Sequence, residues 1–233
     1  KFPADVRGWL TDEEGVGLFQ LAREKDVLEV GSYCGRSSIC LGQAAKSLIC
    51  VDPFDCRDTP GEGDTFAEFT ANLERYGVKA KAHRNLFAEA PLNGDRFDLV
   101  FIDGAHDEAS VKADAARATA LLRPGGLLAF HDARPAPGHH DGGWHPGVTW
   151  TVNRLIAAGA ELVQTVGTVA VLRPAKETLT TPGVQDVSIE QADLLNELKS
   201  LAAQKTEAQA QLTRLDGAEQ VCRHLIAKLH AKE

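Results

Sequence analysis

The chain has 233 residues, 43% of them apolar, and a formal net charge of −8 at pH 7. That length holds one full α/β core with something left over. The acidic balance argues against broad binding to nucleic acid, and no apolar run reaches the length of a membrane span. With Lys1 at its start, no methionine and no visible secretory leader, the sequence reads as a fragment or processed chain. Its cysteines, Cys34, Cys40, Cys50, Cys56 and Cys222, are odd in number and lack C-x-x-C spacing. Reduced thiols in a cytoplasmic protein are therefore expected, not disulfides or zinc.

Residues 3–24 read as helical, with Thr11 and Glu14 in the form of a capping box. Val27–Ser38, VLEVGSYCGRSS, then reads as a buried strand, a tight turn and the first turn of a helix from Arg36 to Lys46. Gly31 and Gly35 are expected to let the backbone approach a ligand, with the helix dipole aimed at the same spot. The second glycine of a dinucleotide motif is replaced by Tyr33, so a pyrophosphate fits poorly and a nicotinamide-dependent oxidoreductase is disfavoured. Strand two, Leu48–Val51, leads into Asp52, placed to accept from ribose hydroxyls. After a loop over 53–63, Asp64 caps a helix from Thr65 to Tyr76.

Strand three falls at Val78–His83. Strand four, Asp98–Asp103, is a continuous apolar run between two acids, as expected of a central parallel strand. Gly104-Ala-His106-Asp107 opens a helix to Leu121, and Arg123-Pro-Gly-Gly126 stops it. Strand five, Leu127–His131, ends in Asp132. The loop over 133–147 is rich in Pro, Gly and His, and a long loop at a strand's carboxyl end is commonly functional. A helix over Val148–Ala158 and a hairpin turning at Gly167 close the pattern. Strands alternate with helices five times, giving an α/β class with a mainly parallel sheet. Residues 1–174 form this domain, 175–188 a linker, and 189–233 an amphipathic helical tail. The tail reads either as helix packed on the domain or as a short coiled coil joining subunits into a homo-oligomer.

From about Asp26 to Leu172 the chain resembles the class I S-adenosylmethionine-dependent methyltransferases. It is most similar to the branch with macrocin O-methyltransferase and cephalosporin-biosynthesis relatives. The segments carrying the resemblance are LEVGSYCGRSS, ICVDPF, FDLVFIDGAHDEASVKAD, LLRPGGLLAFHD and HPGVTWTVNRL. The resemblance implies a Rossmann-like seven-stranded sheet of order 3-2-1-4-5-7-6, its last strand antiparallel. It implies that Glu29, Gly31, Ser32, Gly35 and Ser37 hold the methionine part of the cofactor, Asp52 the ribose, and Asn85, with Arg84 beside it, the adenine.

Asp103 and Asp132 end neighbouring strands, which lie about 4.8 Å apart, so both carboxylates enter one crevice beside the cofactor. Two such charges repel unless a proton or a cation intervenes. A divalent metal, Mg²⁺ or Mn²⁺, removes the conflict, and the related branch is similar in using one. Its third ligand there is an acid; here that place is His131, a ligand for a softer ion or a residue facing the core. In-line methyl transfer to a substrate hydroxyl needs a base, for which His106 is the first candidate and His145 the second. The alternative for His106 is to cap the helix after strand four. His139 and His140 read as a solvated loop, Trp144 as a wall of the acceptor pocket, and Trp150 as a wall or as core. The acceptor is expected to be a small hydroxylated molecule, a sugar or glycosylated natural product. A catechol-type aromatic acceptor is the second reading, and a non-catalytic binding or dimerisation module the third.

Overall fold

The structure is a computed structural model that describes residues 1–56, 63–134 and 145–175. Strand β4 (Phe97–Ile102) is buried at every position except the half-buried Asp98. It pairs in parallel with β1 (Asp26–Val30) on one side and β5 (Leu122–Phe130) on the other. Strands β2 (Ser47–Val51) and β3 (Lys81–His83) continue beyond β1. On the far side, β7 (Val169–Arg173) runs antiparallel between β5 and β6 (Glu161–Val166). The order is 3-2-1-4-5-7-6, as the resemblance implied.

Side chains alternate across the sheet with period two. Val27, Leu99 and Phe101 face a layer made by α1 (Asp12–Ala22), α2 (Arg36–Gly42) and α3 (Phe66–Arg75), through Leu18, Ile39 and Phe69. Leu28, Val30, Val100 and Ile102 face α4 (Glu108–Leu121) and α5 (Pro146–Ala157), through Val111, Ala115, Val148 and Val152. Both faces are covered, so the central strands are apolar on both sides.

Several boundaries differ from the sequence reading, each for a local reason. Helix begins only at Asp12, not at residue 3. Thr11 closes a full capping box there, its Oγ1 accepting from Glu14 N at 3.3 Å while Glu14 Oε2 accepts from Thr11 N at 2.9 Å. Helix α2 stops at Gly42, short of Lys46. Strand β5 starts at Leu122, ahead of the Arg-Pro-Gly-Gly stretch read as a helix stop. Arg123 Nη1 donates to Asp98 Oδ2 at 2.9 Å and lies 2.8 Å from Asp26 Oδ2, pinning the stretch to its neighbours across a register shift between Phe97 and Leu99. Helix α5 starts at Pro146, where a missing N–H leaves no intrahelical bond unmade. Trp150 is 39% exposed and so is not core. Trp144, His139, His140 and the tail over 189–233 lie outside the described residues.

The chain passes from β1 outward to β2 and β3, then returns to β4 on the other side of β1. This reversal opens a crevice at the carboxyl ends of β1 and β4, the usual ligand position in such sheets. Gly31, Asp52, Asp103 and Asp132 each follow the end of a strand at that edge.

Candidate active site

The turn after β1 is held from both sides by carboxylates. Asp52 Oδ2 accepts from Ser32 N at 2.7 Å and Tyr33 N at 2.9 Å, and its Oδ1 accepts from Phe54 N. A carboxylate has about four acceptor positions, so roughly one is left for a ribose hydroxyl. Glu29 is fully buried beneath the turn and accepts from Ser32 Oγ at 2.7 Å, Ser37 Oγ at 2.6 Å and Ser38 Oγ. Burial pushes its carboxyl up, against the pull of those hydroxyls. Glu29 therefore braces the turn and is absent from the cavity lining.

Each of the two glycines makes room for another part of the protein. A Cβ on Gly31 (φ +84°) would stand 2.0 Å from Asp103 O. A Cβ on Gly35 (φ +92°) would stand 2.8 Å from Leu73 Cδ1. The expectation that both let the backbone approach a ligand is corrected for Gly35 alone: Gly35 seats α2 on α3 away from the cavity, whereas Gly31 lets β1 and β4 converge and also lines the cavity.

His131 answers the charge conflict between the two strand-end acids. Its ring is buried, with Nδ1 3.2 Å from Asp103 Oδ1 and 3.4 Å from Asp132 Oδ2, and Nε2 3.5 Å from Glu14 Oε2. Burial works against a charge on this ring. The charge of Asp103 and hydrogen bonds to Asp103, Asp132 and Glu14 outweigh it and hold the imidazole well above its ordinary range. Burial likewise opposes charge on Glu14, yet hydrogen bonds from His131, Thr11 and Thr168 hold it well below the carboxylate range. Glu14 Oε1 accepts from Thr168 N at 2.7 Å and Thr168 Oγ1 at 2.8 Å, tying α1 to the turn before β7.

The geometry brings Asp103, His131 and Asp132 together as expected, with donor atoms within 4.8 Å of one another. The set does not fit Mg²⁺. That ion favours oxygen ligands and several waters, whereas here a ring nitrogen stands between the carboxylates.

On the outer side of Asp132 stand two histidines. His106 Nε2 is 3.2 Å and His145 Nε2 3.5 Å from Asp132 Oδ2, and the two rings stack with centroids 4.0 Å apart. Asp132 has φ +57°, a backbone setting that turns it into the crevice as β5 ends. Gly147 places His145: a Cβ there would lie 2.4 Å from His106 O, so only glycine lets the start of α5 rest on the turn carrying His106. Asp107 caps α4, its carboxylate accepting from Ser110 N at 3.0 Å, which leaves the His106 side chain free of that duty. The environments pull the two rings apart. Closeness to Asp132, working against burial, raises His106; burial and the charge of His106 lower His145.

The described residues enclose a cavity of about 1110 Å³ that runs from the glycine turn to this group. Gly31, Ser32, Ser37, Asp52, Asp103, His106, His131, Asp132 and His145 line it; Gly35 and Asn85 do not. Arg84 is turned toward Asp64, its Nη2 donating to that carboxylate. The wall expected from Asn85 is supplied instead by Leu86, Phe87 and Ala88, with Ser110 and Asp114 of α4 opposite. Asp114 was missed from sequence. It lies on a helix whose apolar face is mostly alanine, so nothing marked one acid there as facing inward. Burial pushes its carboxyl up to about 6, helped by the charge of Asp107.

Residues 28–133 match the family model described as a methyltransferase domain. Among solved structures, the O-methyltransferase TomG from Streptomyces achromogenes, involved in tomaymycin synthesis and bound to SAM, is 24% identical. The match covers 72% of this chain and 82% of that one, with a TM-score of 0.51. An O-methyltransferase from Bacillus cereus in complex with SAH is 18% identical over 72% of this chain and 84% of its own, with a TM-score of 0.55. The N-methyltransferase NodS from Bradyrhizobium japonicum, bound to S-adenosylhomocysteine, is 19% identical over 70% of this chain and 87% of its own, with a TM-score of 0.51. At these identities the likeness is one of fold: the chain has the Rossmann-like methyltransferase fold.

Proposed function

We propose that this chain is an S-adenosylmethionine-dependent O-methyltransferase acting on a small hydroxylated acceptor, within the branch that includes macrocin O-methyltransferase. The observation that carries the reading is one continuous cavity with a braced glycine turn at one end and a base-bearing histidine pair on a carboxylate at the other. When bound, S-adenosylmethionine supplies an electrophilic methyl group on a sulfonium sulfur. The turn at Gly31 and Ser32, with Ser37 on α2, holds its methionine part, and Asp52 offers its remaining acceptor position to the ribose. Leu86, Phe87 and Ala88 cover the adenine, with Asp114 facing its edge.

At the other end, His106 would take the proton of the acceptor hydroxyl as the methyl group is transferred. Asp132, 3.2 Å from Nε2, stabilises the imidazolium that forms. Nδ1 is the nitrogen this leaves for the acceptor. His145, kept neutral, is the second base. His131 lies between Asp103 and Asp132, 3.2 and 3.4 Å from their oxygens, as their counter-charge.

Typical single-ligand pockets measure roughly 300–1,000 Å³, and this cavity, at about 1110 Å³, is larger. That leaves room for a small acceptor beside the cofactor. The built acids and histidines at the strand ends weigh against a non-catalytic module. Among the described residues, Cys34, Cys40 and Cys50 are buried free thiols. That supports a reducing, cytoplasmic setting for the reaction.

The test is transfer of a labelled methyl group from S-adenosylmethionine to panels of sugar-bearing and catechol acceptors. Product from the sugar-bearing panel, lost in Asp132→Asn, is expected. Transfer to amines alone would contradict the assignment to oxygen.

A further inference from the structure

Two side chains on the outer face of Asp132 have a geometry that proton transfer alone does not demand. His106 Nε2 is buried and has no hydrogen-bond partner, although Asp132 Oδ2 is only 3.2 Å away; the carboxylate is out of line. A buried ring nitrogen left without a well-aligned partner is a rarity that calls for one. His145 Nε2 stands 3.5 Å from the same oxygen, and the donor atoms of His106, Asp132 and His145 all lie within 4.8 Å of one another. Two ligands bound at about 2.1 Å in a tetrahedral arrangement are about 3.4 Å apart. The distances of 3.2 and 3.5 Å bracket that edge.

We propose that His106, Asp132 and His145 form a binding site for a borderline divalent transition ion of the Zn²⁺ class, and that ion binding and proton acceptance by these histidines exclude one another. Two imidazoles and one carboxylate select such an ion over Mg²⁺, which takes oxygen donors. The ion sits on the cavity side of Asp132, with His131 remaining as the inner counter-charge. Its remaining coordination position faces the cavity. Because the ion takes the lone pairs of both rings, neither ring accepts a proton while it is bound. The site rests on the donor geometry and stands whether or not the chain transfers methyl groups.

The test titrates the metal-free protein with Zn²⁺ and with Co²⁺, whose visible absorption reports the number and type of ligands. One equivalent binds with an intense, low-coordinate Co²⁺ spectrum, and Mg²⁺ in large excess does not displace it. His145→Ala, at a helix start where the side chain makes no cap hydrogen bond, weakens binding by at least about 100-fold, the upper end for losing even a group behind a ligand. His106→Asn does the same, and His83→Ala, remote from the cavity, changes nothing. Carbethoxylation by diethylpyrocarbonate, read peptide by peptide, modifies His106 and His145 in the free protein and spares both when Zn²⁺ is bound. Displacement by Mg²⁺, an unchanged affinity in His145→Ala, or equal modification with and without Zn²⁺ overturns the proposal. S-adenosylhomocysteine titrated in parallel separates the two readings. Its binding without Zn²⁺ binding sinks the metal site alone, and the reverse sinks the methyl-transfer reading alone.

Discussion

At the scale of single residues, the site depends on two carboxylates that face opposite electrostatic conditions. Glu14 gives its two oxygens to Thr11, Thr168 and His131 and is almost wholly buried. Removing one partner of a buried ion pair strands the other and costs about 3–5 kcal/mol. Glu14→Ala is therefore expected to lose about that much stability in denaturant unfolding, and a loss below about 1 kcal/mol would contradict the buried pairing. Asp114 shows the reverse case. Its pKa rises on folding from 3.8 to about 6, so the folded state disfavours the charged form. The penalty is absent below 3.8, grows as pH rises, and is complete above about 6. Asp114→Asn should raise the melting temperature near pH 8 and leave it unchanged at pH 3; equal shifts at both would contradict the burial argument. Gly31, Asp52, Asp103, His106 and Asp132 were legible in the sequence because strand ends and turns fix their place in the chain. Asp114 was not, because inward orientation on a weakly patterned helix is decided by packing. The role of His131 was not legible either, since Glu14, distant in sequence, is what makes it a cation.

At the scale of elements, the histidine end of the cavity is assembled by the contact of α5 with the turn before α4. Arg154 Nη1 reaches Glu108 Oε1 at 3.0 Å, and Gly147 meets the backbone of His106. Gly147→Ala forces a Cβ to 2.4 Å from His106 O. Overpacking of this kind costs about 1–3 kcal/mol, and it should separate the two rings, seen as a change in the imidazole resonances of His106 and His145. Unchanged resonances would show that the contact does not place them. The strands and their order could be read ahead of the structure because buried parallel strands are continuous apolar runs bounded by acids and glycines. Element starts could not: Arg-Pro-Gly-Gly looks like a break, yet Arg123 is held by Asp26 and Asp98 from other strands.

At the scale of the whole molecule, two apolar layers clamp one sheet, and the crevice exists because chain order reverses between β1 and β4. Phe101 lies fully buried on β4 at the centre of one layer. Phe101→Ala is expected to cost about 3–5 kcal/mol and to unfold the domain cooperatively; a loss of cavity binding without loss of stability would contradict the view that sheet and site are one unit. The proposed occupant of the cavity over this sheet is S-adenosylmethionine. The most direct measurement is calorimetric titration of the metal-free protein with S-adenosylhomocysteine. One site of micromolar affinity, weakened in Asp52→Ala, is the predicted result. No heat at millimolar ligand with a correctly folded protein would contradict it.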